Sequence, residues 1–516
     1  MRPPCFSKPK GTVMPPRQVR TPWRVALFAA TALGALSVGA AAKDLPATPE
    51  GAQKLSAFFA AYLGKSAAGD PAMLAVTPEG ADYLVALDIG ALLAPLKNIG
   101  DSFDAAVMKF KAFEQDDGAW RVEQSDFPTI TVHSKLKDVS LDSTMTLSGL
   151  KNVMVIDPAI SWVRSGQASS DKLNVRAHGP GIDETLDFGA MQAKIASQAS
   201  AEGALSTGLQ ETVGAIALTM AIDLSAMKPD ANAGAIAEPV NIAARTDTAS
   251  VDAKLEGLKP RPLLDLWAFL VAHPTRVELA ANEAPFKALL TAMLASQLSF
   301  DENVGMQKLT VQTPQGLVAV DSATVGFGGA VAGSASRFEE HFAASGVALA
   351  PGLVPAVFHD LVPTSFDIGF KVSGFDLTAA GAEAIADLHL AGDAPTISPD
   401  DNAKVWAKLI GAGPVVVDVP PSHIVAPQLD LSIEGHIRYE GARPSGTFTV
   451  RMRHFDKTMA ALKGLGPAAE KEMVPFLAMA KGMANTESDG ALSWVGELGA
   501  DGMMKVNGLP LGKAPI

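Results

Sequence analysis

A single cysteine, Cys5, stands in 516 residues. One thiol makes no intrachain disulfide, so burial and hydrogen bonding must hold this chain together. It also leaves no cysteine set for zinc, and no thiol nucleophile once the segment carrying Cys5 is set aside. Histidine is scarce too: there are nine, no two within a helical turn, and no HExxH frame. Glu339-Glu340-His341 and His359-Asp360 come nearest to ligand clusters and read as a solvated helix face and a loop.

Nucleotide and catalytic signatures are missing as well. Gly64-Lys65-Ser66 imitates the end of a phosphate-binding loop, but Phe59 occupies the position of its first glycine. Gly326-Phe327-Gly328-Gly329 follows a strand, yet Val331 takes the third glycine place of a dinucleotide fingerprint, so a bulge or tight strand end is the better reading. No GxSxG elbow occurs. The acid pairs Asp116-Asp117 and Asp400-Asp401 fit a turn and a helix N-terminus. No catalytic, cofactor-binding or metal-binding residue is assigned.

What the chain does have begins with an export signal over 1–42. Arg17, Arg20 and Arg24 form a basic region, 25–38 is rich in Ala and Leu, and Ala40 and Ala42 make an Ala-x-Ala site before Lys43. No cysteine follows the apolar stretch and no Arg-Arg pair precedes it, which points to the general secretory route and a periplasmic product. An uncleaved signal anchor is the alternative, and Met14 is an alternative start. Cleavage leaves 474 residues and removes six positive charges, taking the net charge from −13 to −19. Nucleic acid and anionic headgroups are poor partners for such a chain. No second apolar run of spanning length follows, so the mature chain is expected not to span a membrane.

Strand text dominates 43–258 after a leading helix, and strands mix with helices over 259–516. Thr48 and Pro49 open that helix, whose stripe of Leu55, Phe58, Phe59, Tyr62 and Leu63 predicts packing on the protein's own sheet. Asp117-Gly118 and Asp501-Gly502 mark hairpins, and Ser398 before Pro399 marks a helix start. The segment 192–211 fits either a weak helix or a strand, and 229–239 reads as a loop. Four strands share one ending: 145–150 (MTLSGL), 253–258 (AKLEGL), 370–375 (FKVSGF) and 504–509 (MKVNGL). Their glycines read as backbone punctuation, and three sheet-to-helix joins follow, at Gly257, Gly374 and, without a glycine, at Arg453-His454-Phe455.

The last hundred residues carry a resemblance. The stretch 424–434, then 435–439 (GHIRY) and 441–451 (GARPSGTFTVR), with the helix pair after Phe455 and the ending 501–511, resembles the alphaproteobacterial envelope family called domain of unknown function 2125. The match is best over 415–516. The resemblance implies an envelope protein but no activity and no site residues. The wider AsmA-like envelope proteins offer a fold analogy, in which long curved sheets hold lipid.

The expectation is therefore an α+β fold: long antiparallel strands in one or two curved sheets, with helices packed on one face. The expected role is non-enzymatic and needs no cofactor: structural, or binding a lipid-like apolar ligand in the envelope. A scaffold for other envelope proteins is the alternative, and a hydrolase with a dispersed carboxylate pair ranks behind both.

Overall fold

The structure is a computed structural model that describes residues 42–63, 73–90, 101–104, 106–136, 139–200, 202–223, 239–392, 396–411, 413–440, 443–463 and 467–513. All belong to the larger of two compact units, 33–516. Ala40 and nearly all of the expected signal segment, the Gly64-Lys65-Ser66 triplet and almost the whole 229–239 loop lie outside the described residues.

The chain is an α+β protein dominated by one antiparallel sheet of 28 strands among the described residues. A leading helix, α1 (Pro49–Leu63), precedes β1 (Leu74–Glu79) and β2 (Asp82–Asp88). Next come β3 (Asp101–Phe103), β4 (Val107–Glu114), β5 (Trp120–Gln124), β6 (Ile130–Leu136), β7 (Val139–Ser148) and β8 (Lys151–Asp157). They continue as β9 (Trp162–Ser170), β10 (Lys172–Gly179), β11 (Ile182–Phe188), β12 (Met191–Ala199), β13 (Leu205–Val213), β14 (Ile216–Ile222), β15 (Val240–Thr246) and β16 (Thr248–Leu258). The segment 192–211 is thus strand: in β12, Met191 and Ala193 are buried while Gln192 and Lys194 are exposed, and β13 alternates in the same way.

These short strands are halves of long ones. β7 runs into β8 through Gly149 and Leu150, β9 into β10 through Asp171, and β11 into β12 through Gly189 and Ala190. β13 runs into β14 through Gly214 and Ala215, and β15 into β16 through Asp247. The register places all these breaks side by side. Ser148 faces Lys172, Phe188 faces Ile216, and Thr248 faces Gln307, so the interruptions form a crease across the sheet. The backbone stays paired along it: Gly189 N–H donates to the Ala215 carbonyl at 2.8 Å, and Gly214 N–H to that of Ala190 at 2.7 Å. The crease passes on through Lys308, with φ of 56°, and Asp321, which form an ion pair, to Gly346 with φ of 64°.

Beyond the crease's last strands the sheet continues as a meander. β17 (Ser299–Thr313) and β18 (Gly316–Ala330) form a long hairpin, joined by β19 (Ser336–Ser345) and β20 (Ala348–Leu349). β21 (Ser365–Phe375), β22 (Val415–Ala426), β23 (Leu429–Glu440) and β24 (Arg443–Arg453) follow in order. The sheet ends with β25 (Asn485–Thr486), β26 (Leu492–Leu498), β27 (Met503–Val506) and β28 (Leu509–Lys513).

The helices are inserted between strands that remain neighbours. α2 (Pro260–Ala272), α3 (Arg276–Ala281) and α4 (Glu283–Leu294) separate β16 from β17. α5 (Leu377–Ala386) and α6 (Pro399–Gly411) separate β21 from β22, and α7 (Phe455–Lys463) and α8 (Pro467–Met483) separate β24 from β26. The helices pack chiefly on one another, and touch the sheet principally at β1, β21 and β23. Among the described residues no helix is long and apolar enough to cross a membrane.

One backbone device opens each insertion. Gly257 and Gly374 take φ of 78° and 83°, and the register slips by one residue at each, so both are left-handed bulges that release the chain into a helix. At the third join His454 adopts φ of 59°, so a left-handed residue stands there too.

The tightest packing gathers under α1. Leu55 and Tyr83 are fully buried with Trp120 and Val122 around them, and the Tyr83 and Trp120 rings meet edge-on at 5.5 Å. Gly51 N–H donates to Thr48 Oγ1 at 3.0 Å, so Thr48 does cap the helix as its sequence predicts.

Candidate functional site

The alternation of the strands gives this sheet one polar and one apolar face. From β17 onward the polar face carries Glu339 facing Lys371, and His341 with Nε2 2.7 Å from Asp367. The Glu339-Glu340-His341 triplet therefore lies on a strand, not a helix, and pleating sends Glu340 to the side opposite its neighbours. His359 Nε2 donates to the Val354 carbonyl at 3.0 Å, and Asp360 accepts from Gln428, so the second candidate cluster is dispersed as well. Among the described residues no group of three or more His, Cys, Asp or Glu is placed to hold a metal.

The apolar face reads directly from the register. Val304 pairs with Val325, Val325 with Phe342, and Phe342 with Ile368. Further along, Val417 pairs with Ile437, Ile433 with Val450, and Val450 with Trp494. Rings join across it: Phe327 meets Phe342 edge-on at 6.4 Å, and Phe338 lies 6.1 Å from Phe370. Gly326 to Gly329 reach the strand end in unbroken register, without a bulge, and the missing side chain of Gly329 leaves room for the Phe300 ring. Two carboxylates, Glu302 and Glu340, interrupt the face, each opposite Phe327.

The two parts of the apolar face differ in cover. Along β9 to β13 it is closed: Ala168, Leu173, Val175, Leu186, Met191, Ala193 and Leu205 are all buried. These side chains are buried although the helices touch the sheet principally elsewhere. From β17 onward it is open: Phe300, Phe342, Ile368 and Tyr439 are 36–39 % exposed, and their neighbours are half-buried. An open face of this kind offers alkyl chains a surface of matching polarity.

The closed part holds polar groups that its sequence does not announce. Glu211 on β13 and Glu184 on β11 are buried among apolar side chains, and burial pushes Glu211 up to about 7 and raises Glu184. Asn152 Oδ1 and Ser170 Oγ, on adjacent strands, are buried without a hydrogen-bond partner among the described residues. Ser197 and Thr207, in contrast, bond each other at 2.9 Å.

Two surface depressions among the described residues bear on function. A cleft of about 660 Å³ on the polar face is lined by His436, Arg438, Glu497, Asp501 and Lys505, among others, and is where a dispersed carboxylate site would be sought. A groove of about 470 Å³ lies between α7 and α8. Ser-x-x-Lys spacings also occur, and two straddle the crease, Ser148 with Lys151 and Ser169 with Lys172. Lys172 Nζ sits 2.7 Å from Asp187, whose carboxyl it holds below the usual range, so this ammonium is committed to an ion pair.

Of the expected processing site, Ala42 and Lys43 are described. The Ala42 carbonyl accepts from Gln115 Nε2 at 3.3 Å, and Lys43 N–H donates to Asp116 Oδ1 at 3.1 Å. Comparison with protein-family models, curated proteins and solved structures gives no match.

Proposed function

We propose that this is a periplasmic, non-enzymatic envelope protein that carries a lipid-like apolar ligand on the open half of its creased sheet. The observation that carries this reading is the face from Val304 to Trp494: apolar from strand to strand apart from Glu302 and Glu340, set with phenylalanines, and exposed at Phe300, Phe342, Ile368 and Tyr439. The polar opposite face supports it, since a sheet with one wet side must cover, fill or use the other. The Ala-x-Ala site before Lys43 supports export, and the resemblance to domain of unknown function 2125 supports an envelope setting. The test is purification from the native host followed by lipid mass spectrometry. Lipid recovered in near-stoichiometric amount is the expected result, and protein that emerges lipid-free counts against the proposal.

A scaffold role has one observation in its favour. Trp406 and Ile410 sit one turn apart on α6 and are 56 % and 48 % exposed, a pattern that suits a protein partner. In-cell cross-linking through position 406 that captures no envelope protein would remove this second reading.

A further inference from the structure

The groove between α7 and α8 is built as an amphiphile's negative image. Phe455, Met459 and Lys463 recur at four-residue spacing down one side of α7, and all three line it. Apolar at one end and cationic at the other, that line spans about 12 Å. Ala478 and Gly482 supply the facing wall from α8, small enough to leave the space open. Its volume of about 470 Å³ lies within the roughly 300–1,000 Å³ typical of small-molecule sites.

The charges are unequal at the two ends. Near Phe455, Lys481 Nζ sits 2.5 Å from Asp456, a neutral pair closing that end. Lys463 makes no ion pair among the described residues and stands exposed at the other. An ammonium without an ion-pair partner among the described residues, in a chain of net charge −13, marks the point where an anionic head is favoured.

The groove also adjoins the apolar face. Phe455 is buried, and its ring lies 5.9 Å from that of Trp494, which pairs with Val450 on the sheet and donates from Nε1 to the Ala480 carbonyl of α8 at 2.7 Å. One ring therefore separates the groove floor from the end of the open face. Phe476 and Met479, on the outside of the same helix, are 63 % and 54 % exposed and extend the apolar surface outward.

We infer that the α7–α8 groove binds a single-chain anionic amphiphile, with its head at Lys463 and its chain running toward Phe455. This deepens the lipid-carrying reading, on which it rests for its physiological sense. The probes are decanoate, decanol and decyltrimethylammonium, titrated calorimetrically into the full-length protein. Decanoate should bind with one-to-one stoichiometry, at least tenfold tighter than the other two.

K463E, on the surface and neutral to folding, should lower decanoate affinity tenfold or more without moving decanol. A460W should fill the groove and abolish decanoate binding. Equal affinity for decanoate and decanol, or unchanged decanoate binding in K463E, overturns the inference. Loss of decanoate binding in F342D with none in K463E places the chain on the open sheet instead and also overturns it. Decanoate binding as described in a protein that yields no lipid from its native host leaves the groove standing and removes the sheet as carrier.

Discussion

Gly257 lies directly against the carbonyl oxygen of Gln297, so close that a Cβ would overlap it. Gly374 stands in the same relation to the carbonyl of Pro414. In both cases the strand returning from a helical insertion passes over the bulge that launched it. Gly257→Ala and Gly374→Ala should each cost about 2–4 kcal/mol, combining left-handed strain with backbone overlap. Gly508 has the same sign of φ but open space around it, so Gly508→Ala should cost only about 1 kcal/mol. Urea unfolding midpoints of the three variants check the ranking.

Stability should fall as pH rises from about 4.5 to about 7. Burial raises Glu211 from 4.5 to about 7, so between those values the native state binds more protons than the unfolded chain. The favourable contribution is complete below about pH 4.5 and is lost as pH rises to 7, a swing of about 3 kcal/mol. Glu184 adds in the same direction. Glu211→Gln should flatten the curve, read as the difference between urea midpoints at pH 5 and pH 8. An unchanged slope would mean that the buried carboxyl is not the titrating group.

Phe342 and Ile368 face each other on the open apolar sheet. Phe342→Asp and Ile368→Lys should cut lipid recovery several-fold while shifting the thermal midpoint by only a few degrees, since both side chains are over a third exposed. His341→Ala, on the polar side of the same strand, should leave recovery unchanged.

Removal of 1–42 would place a new α-ammonium on Lys43, whose nitrogen already sits 3.1 Å from the Asp116 carboxylate. Intact-mass measurement of the exported protein should give a chain beginning at Lys43. Asp116→Asn should lower stability by under about 1 kcal/mol, as for an exposed pair.

Much of the sheet was legible because its strands alternate strongly and its turns use Asp-Gly. The cap at Ser398 was equally plain: its hydroxyl accepts from Asp401 N–H at 3.1 Å. The crease was not legible. Its positions are mostly Gly and Asp, as at Gly149, Asp171, Gly189, Gly214, Asp247, Asp321 and Gly346, residues that mark turns elsewhere in the chain too, and only register aligns them. The third left-handed join was hidden because His454, and not a glycine, takes that conformation. The segment 192–211 lacked hydrophobic contrast because its inward side chains are Ala, Ser and Thr beside Ile and Leu; neighbouring strands decided its state. For the candidate face, its residues were readable but its openness was not, since cover depends on where the helices fall.

The meander has a consequence in time. Each long strand pairs with the one laid down just before it, even where two or three helices are threaded between them. A chain emerging N-terminus first need never hold a strand in reserve for a distant partner: each arrival finds its template already in place. Growth proceeds from a starting block, where α1 closes over β1 and β2, and adds strand after strand at a single advancing edge.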